Sequence, residues 1–372
     1  MSPSARPASE SPAAPAGPSA APSSASASAP PSTRDGRDAL LARFVAAHAH
    51  AYRLAPASLR PASSDASFRR YFRVDGLDGA PSRIVMDAPP DKEDCRPFVQ
   101  VAQLLAAAGL HAPRVLEREL DAGLLLLDDL GSRTYLAALQ AAPGDAPRLY
   151  AAALAALVRM QQGIDAGKLP PYDAARLRAE LALFPTWYIE RHLGQRLDAA
   201  DVARLEQTFD AIVEVNLGEA RAFVHRDYHS RNLMLGDDGT PGILDFQDAV
   251  CGPLSYDLAS LLRDAYIEWP EALQLDWAIR YWEQARAAGL AVPRAFDTFY
   301  RQFEWMGLQR HLKVLGIFAR LYHRDGKDGY LADLPRVARY ARAVAERYRE
   351  LAWLASLLRR LQGIEARVGY TF

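Results

Sequence analysis

The sequence predicts an α+β protein of two lobes, a small antiparallel sheet followed by a larger and mostly helical lobe. Three observations carry that prediction. Between Leu59 and Leu127 the apolar residues fall in short runs separated by polar turns, the pattern of strands. From Ala146 onward they recur at helical spacing over long stretches. One hairpin interrupts the helices: the runs Leu233–Leu235 and Gly242–Leu244 flank Gly236-Asp237-Asp238-Gly239-Thr240, a turn rich in Gly and Asp. The expected division is a tail over 1–36, a first lobe over 37–130 and a second lobe over 131–372.

Taken in order, residues 1–36 are almost entirely Ala, Pro and Ser. Such a segment buries too little apolar area to offset its ordering entropy, so a disordered tail is expected. It lacks the Leu/Ile/Val/Phe-rich core of a secretory signal. Asp38–Tyr52 places Leu40, Leu41, Phe44 and Val45 on one face of a helix. Leu59–Val74 reads as strand, turn and strand, and Ser82–Ala88 as the next strand. Cys95–Gly109 is a helix, with Phe98, Val101, Leu104 and Leu105 at helical spacing and Gly109 as its stop. Pro113–Arg118 and Gly123–Leu127 form a strand pair, the four leucines 124–127 marking a strand covered on both faces. Helices follow over Ala146–Ile164, Ala174–Leu193 and Asp198–Leu217, the second broken at Pro185. Beyond the hairpin come five more, over Ser255–Ile267, Pro270–Ala288, Arg294–Tyr322, Leu334–Tyr348 and Leu351–Leu361.

Composition excludes several classes. A net charge of −1 argues against nucleic acid or an anionic membrane as the main partner. Two cysteines, Cys95 and Cys251, are too few for a disulfide framework and suit a reduced cytoplasm. No apolar run approaches the ~18 residues of a membrane span.

The hairpin carries the chemistry. Asp227 and Asn232 precede its first strand and Asp245 closes its second, so folding at the turn brings all three to one mouth. Two acids and an amide suit one oxygen-loving divalent ion plus one proton acceptor. Asp245 and Asn232 are expected to hold Mg²⁺ on a nucleoside triphosphate, and Asp227 to orient an attacking hydroxyl. A zinc reading of His225-x-x-x-His229 is weaker, because it needs a third ligand and prefers a helix.

These residues resemble the protein-kinase-like fold. His225, Arg226, Asp227 and Asn232 match its H-R-D-x-x-x-x-N loop, and Asp245-Phe246-Gln247 stands in the place of D-F-G. His229 is similar to the aminoglycoside-phosphotransferase branch, where a histidine often replaces the protein-kinase lysine. The resemblance implies that His225 and Asp257 brace the catalytic loop and that Ser63, Ser64 and Ser67 form a phosphate loop. It also implies that Asp129 and Leu130 belong to the hinge that binds adenine. The V-A-I-K slot holds Met86 and Asp87 with no lysine, so either Arg69 or Arg70 replaces that charge or metal and backbone hold the phosphates, and Glu93 is open to two readings, the paired acid or a solvated acid at a helix start. Only eleven residues separate Asp245 from Asp257, too little for a peptide-docking platform, which favours a small-molecule acceptor.

Across 38–372 the chain resembles one narrower family, the anomeric N-acetylmuramate/N-acetylglucosamine kinases of cell-wall recycling. The carrying segments are DASFRRYFR (65–73), VMDAPP (85–90), HRDYHSRNLM (225–234), LDFQDAV (244–250) and GLQRHLKVLGIFARL (307–321). The resemblance implies ATP and Mg²⁺ as cofactors, a free amino sugar as partner and phosphorylation at C1. A cytoplasmic monomer or weak dimer is expected. Sugar contacts are expected from Asp227, His229, Arg231, Trp187, Asp264, Trp305 and Arg310, with a core position at the Pro185 break the other reading of Trp187. The cluster of Arg310, Lys313, Arg320, Arg324 and Lys327 would receive a lactyl carboxylate. A kinase of another small alcohol and a catalytically silent nucleotide-binding module stand as alternatives.

Overall fold

The computed structural model describes residues 34–64 and 68–364. The expected tail lies outside the described residues up to 33. Its last residues already belong to the first helix, α1 (Arg34–Tyr52), which begins four positions earlier than periodicity indicated.

The first lobe is a five-stranded antiparallel sheet. Its strands are β1 (Arg60–Ser64), β2 (Arg70–Val74), β3 (Arg83–Asp87), β4 (Val115–Glu119) and β5 (Leu124–Asp128), in the order β1-β2-β3-β5-β4. The strand period sorts side chains onto two faces. Val74, Val85, Leu124 and Leu126 pack beneath Leu41, Phe44 and Val45 of α1. Met86, Leu125 and Leu127 join the main core with Phe98 and Leu105 of α2 (Arg96–Ala107).

One acid breaks the apolar pattern of the covered face. Asp87 is fully buried, and Arg37 of α1 donates its Nε–H to Asp87 Oδ1 at 3.0 Å while Arg70 Nε donates to Oδ2 at 2.9 Å. A charge in that position is tolerable only because it is paired and hydrogen bonded. The ion cluster therefore fixes α1 to the sheet.

The second lobe is helical, as expected. It comprises α3 (Tyr135–Ala141), α4 (Ala146–Gly163), α5 (Ala174–Leu181), α6 (Ala199–Leu217) and α7 (Tyr256–Leu262), then α8 (Glu271–Ala287), α9 (Phe296–Asp325), α10 (Leu334–Arg347) and α11 (Ala352–Leu361). The break at Pro185 is real: α5 stops at Leu181, and Phe184–His192 continues as π-helical turns. α9 crosses that break at backbone contact. A Cβ on Gly316 would lie 2.5 Å from the Leu183 carbonyl, so only glycine permits the crossing. α7 is shorter than expected because the chain leaves helical geometry at Arg263.

Two short ribbons lie between the helices. β7 (Leu233–Leu235) and β8 (Pro241–Ile243) form the expected hairpin, with Leu233 opposite Ile243 and β8 one residue earlier than read. β6 (Arg221–Val224) pairs with β9 (Val250–Pro253), a ribbon whose strands are too far apart in sequence for a turn signal. Phe246, just beyond the hairpin, meets Phe98 of α2 at 4.7 Å between ring centres, joining the lobes through one core. Among the described residues no helix is long and apolar enough to cross a membrane.

Candidate active site

The two ribbons hold the loop 225–232 between them. Asp257, buried at the start of α7, accepts the backbone N–H of His225 at 2.6 Å and of Arg226 at 3.0 Å. The buried His225 ring accepts from the Asp227 N–H at Nδ1 (3.2 Å), which leaves Nε2 to donate to the Leu244 carbonyl at 2.9 Å. Burial pushes the His225 pKa down to about 4, so the ring stays neutral and keeps both bonds. Arg226 (φ 78°) and Asp245 (φ 60°) adopt left-handed backbone that non-glycine residues rarely take. Arg226 lies within the braced loop and Asp245 just beyond the hairpin that follows it.

The mouth of the hairpin gathers its polar residues. Asn232 Nδ2 donates to the Asp227 carbonyl at 3.0 Å and to Asp245 Oδ2 at 3.3 Å. Gln247 Nε2 donates to Asp245 Oδ1 at 2.8 Å. Asp227, Asn232 and Asp245 all line one cleft of about 680 Å³ between the lobes. The Asn232 amide and Asp245 carboxylate are hard oxygen donors of the kind Mg²⁺ takes. Two are too few for an all-protein cage but suit a site completed by phosphate oxygens and water.

Asp227 sits among cations. Its side chain is 38% exposed to the cleft, and Arg310 Nη1 lies 3.6 Å from its Oδ1. Burial alone would raise its carboxyl. Lys313 and Arg310, then His229 and Arg226, outweigh burial and hold it well below the usual carboxylate range. Lys313 Nζ, itself buried, donates to Tyr256 Oη at 3.1 Å and faces Glu180 Oε1 at 3.2 Å. Glu180 also pairs with Arg226 at 2.6 Å.

Arg69 takes the position open to two arginines. Its Nη2 donates to Glu93 at 3.0 Å, and its Nη1 lies 3.8 Å from Asp245. Arg70 does not face the cleft: it points to the other side of the sheet, onto Asp87 and Asp38. Adjacent residues of a strand point to opposite faces, which is why only one of the two arginines can serve. Ser63 and Ser64 end β1, and Ser67 lies outside the described residues. At the hinge, Asp129 accepts from Arg73 Nε at 2.6 Å and from Ser82 Oγ at 2.7 Å, while Leu130 lines the cleft.

The other half of the cleft is walled by α9. Arg310, Lys313, Val314, Ile317, Phe318 and Leu321 form one stripe at helical spacing, cationic beside Asp227 and apolar farther out. His229, Arg231, Tyr266 and Tyr330 also line it. The expected basic cluster thus splits. Arg324 is engaged by Asp325 beyond the stripe, and neither Arg320 nor Lys327 is among the residues lining the cleft.

Three expected sugar contacts are displaced. Trp305 is buried in the core against Tyr348. It lies five residues before Arg310 on α9, roughly 140° around the helix from the stripe. Trp187 packs against the main core from the π-helical turns and does not line the cleft. Asp264 is buried and accepts from Ser230 N (2.9 Å) and Oγ (2.5 Å), so it positions the loop rather than meeting the cleft. Tyr266 and Tyr330 are the converse cases: both line the cleft from loops, and neither is among the expected sugar contacts. Lys313, expected in the basic cluster, does line the cleft.

Comparisons with known proteins place the chain in a family. The model of the phosphotransferase enzyme family matches residues 58–296. An N-acetylmuramate/N-acetylglucosamine kinase of Pseudomonas aeruginosa is 54% identical over 84% of this chain and 91% of its own length. One of Neisseria meningitidis, bearing the same name, is 49% identical over 84% of this chain and 93% of its own. Among solved structures, a choline/ethanolamine kinase family protein from Mesorhizobium loti covers 87% of this chain and 99% of its own at TM-score 0.56 and 15% identity. An ADP-bound aminoglycoside phosphotransferase covers 80% and 96% at TM-score 0.52 and 16% identity. The fold is thus that of the small-molecule kinases. The chain belongs to the phosphotransferase enzyme family and, within it, to the family of those N-acetylmuramate/N-acetylglucosamine kinases; it is a phosphotransferase enzyme.

Proposed function

We infer that this enzyme transfers the γ-phosphoryl group of ATP to the anomeric hydroxyl of N-acetylmuramate, N-acetylglucosamine or both. The names of its relatives support the sugar. The observation that carries the reading is the composition of the acceptor half of the cleft. Asp227 and Asp245 stand at the hairpin mouth, and the other two carboxylates among the described lining residues, Asp128 and Asp129, are held by arginines at the hinge. A polycationic aminoglycoside would need acids along the wall, where α9 presents Arg310, Lys313 and apolar side chains. An N-acetyl methyl group suits that apolar stretch.

In this reading residues 37–130 serve mainly the nucleotide and 131–372 the transfer and the sugar. The hinge backbone at Asp129 and Leu130 meets the adenine edge, and Arg69 with the end of β1 approaches the phosphates. Asn232 and Asp245 hold Mg²⁺, which when bound neutralises charge on the phosphate oxygens. Asp227 accepts a hydrogen bond from the acceptor hydroxyl, aims it, and takes its proton late. An anomeric hydroxyl is more acidic than an ordinary alcohol, so a carboxylate of low basicity suffices.

The test is an ATP-consumption screen of amino sugars with and without a lactyl group, with the phosphate located by ³¹P NMR. Magnesium-dependent formation of a sugar 1-phosphate is expected. Phosphate on a different hydroxyl, or turnover only with aminoglycosides or choline, would refute the assignment.

A further inference from the structure

Arg231 is a side chain that the transfer chemistry leaves unused. It lies in the catalytic loop one residue before Asn232 and lines the acceptor half of the cleft. Its guanidinium stacks on Tyr266, 4.6 Å from the ring centre, and lies 5.7 Å from that of Tyr330. Those rings are themselves buttressed: Tyr266 meets His229 at 5.2 Å, and Phe318 of α9 meets Tyr330 at 5.1 Å.

Yet among the described residues nothing is hydrogen bonded to the guanidinium or paired with it. Two acids stand nearby and both are engaged elsewhere, Asp264 by Ser230 and Asp333 by Arg336 at 2.8 Å. An arginine stacked through its flat face keeps the N–H fork at its edge for a planar anion. The neighbouring His229 lines the same corner of the cleft.

We propose that Arg231, clamped by Tyr266 and Tyr330, receives a carboxylate carried by the acceptor and so sets preference between an acidic and a neutral amino sugar. This rests on the amino-sugar reading above. The two candidate sugars differ at one place: N-acetylmuramate carries a lactyl ether at C3, N-acetylglucosamine a hydroxyl. With the anomeric hydroxyl on Asp227, the lactyl carboxylate is the anion available to a fork four residues farther along the same folded loop. The clamp gives arginine what lysine lacks here, planar stacking together with bidentate geometry.

The experiment measures kcat/KM for both sugars with the intact chain, Arg231→Met and Arg231→Lys, and for wild type with the lactyl amide of N-acetylmuramate. Arg231→Met should lower the N-acetylmuramate to N-acetylglucosamine ratio by about 10- to 100-fold, chiefly through KM, the usual scale for a hydrogen bond to a charged group. Arg231→Lys should fall between. The lactyl amide, which needs no variant to fold, should be disfavoured by wild type to a similar degree. An unchanged ratio, an equal loss on both sugars, or an amide handled as well as the acid would overturn the proposal while leaving the kinase assignment standing. Wild-type protein that phosphorylates neither sugar would remove the amino-sugar reading and the proposal with it.

Discussion

In the proposed transfer, Asp227 is an acceptor of low basicity. The cations around it keep the carboxylate ionised far into acid, so it offers a fixed negative charge and a hydrogen-bond acceptor rather than a strong base. Asp227→Asn preserves shape and removes the charge, and should lower kcat on the order of 10²–10⁴-fold, measured with saturating sugar and nucleotide. Lys313→Met tests the electrostatic account. Removing a neighbouring positive charge makes ionisation of Asp227 harder, so its pKa rises and the acid limb of the pH–rate profile moves to higher pH. An unmoved acid limb would show that Lys313 does not govern Asp227. At this scale the sequence was most legible where chain neighbours do the work: Asp227, Asn232 and Asp245 are close in sequence and a two-strand turn unites them. Trp305 lies off the cleft, and so does Trp187, because aromatic content says nothing about which side of a helix faces a cavity.

Among the elements, the approaches to β2 and α2 hold an ion pair where β3 carries no lysine. Arg69, at the entry to β2, carries its charge between Glu93 ahead of α2 and Asp245 beyond the hairpin. On that face of β3 stand Ile84, which lines the cleft, and Met86, which is buried in the core, and neither can hold phosphate. Arg69→Met should therefore raise KM for ATP by about 10- to 100-fold while changing KM for the sugar little, as initial-rate kinetics would show. Equal effects on both substrates would mean that Arg69 supports the fold of the cleft instead. The strands, the long helices and the Pro185 break could be read from periodicity and punctuation. The β6–β9 ribbon could not, because its partners are separated by the whole catalytic hairpin. Neither could α3, seven residues long and started by a Thr134 cap.

For the whole molecule, the contact hidden from the sequence is the one that ties its beginning to its sheet. Arg37 and Asp87 are fifty positions apart, and nothing in either neighbourhood announces the other. Asp87→Asn leaves the buried Arg37 without its counter-charge and should lower unfolding free energy by about 3–5 kcal/mol in urea titrations. A double variant, Arg37→Met with Asp87→Met, should lose less than Asp87→Asn alone, since no buried charge then remains unpaired. A double loss equal to the sum of the two single losses would show the residues to be energetically independent.

The matched family segment closes at residue 296, where α9 starts, so the wall bearing Arg310 and Lys313 lies almost wholly past it. The segment holds Asp227, Arg231, Asn232 and Asp245 but not the wall that faces them. In this chain that wall is a single rod whose first cleft-facing turn sits against Asp227, so a match over the segment alone leaves one side of the cleft undescribed.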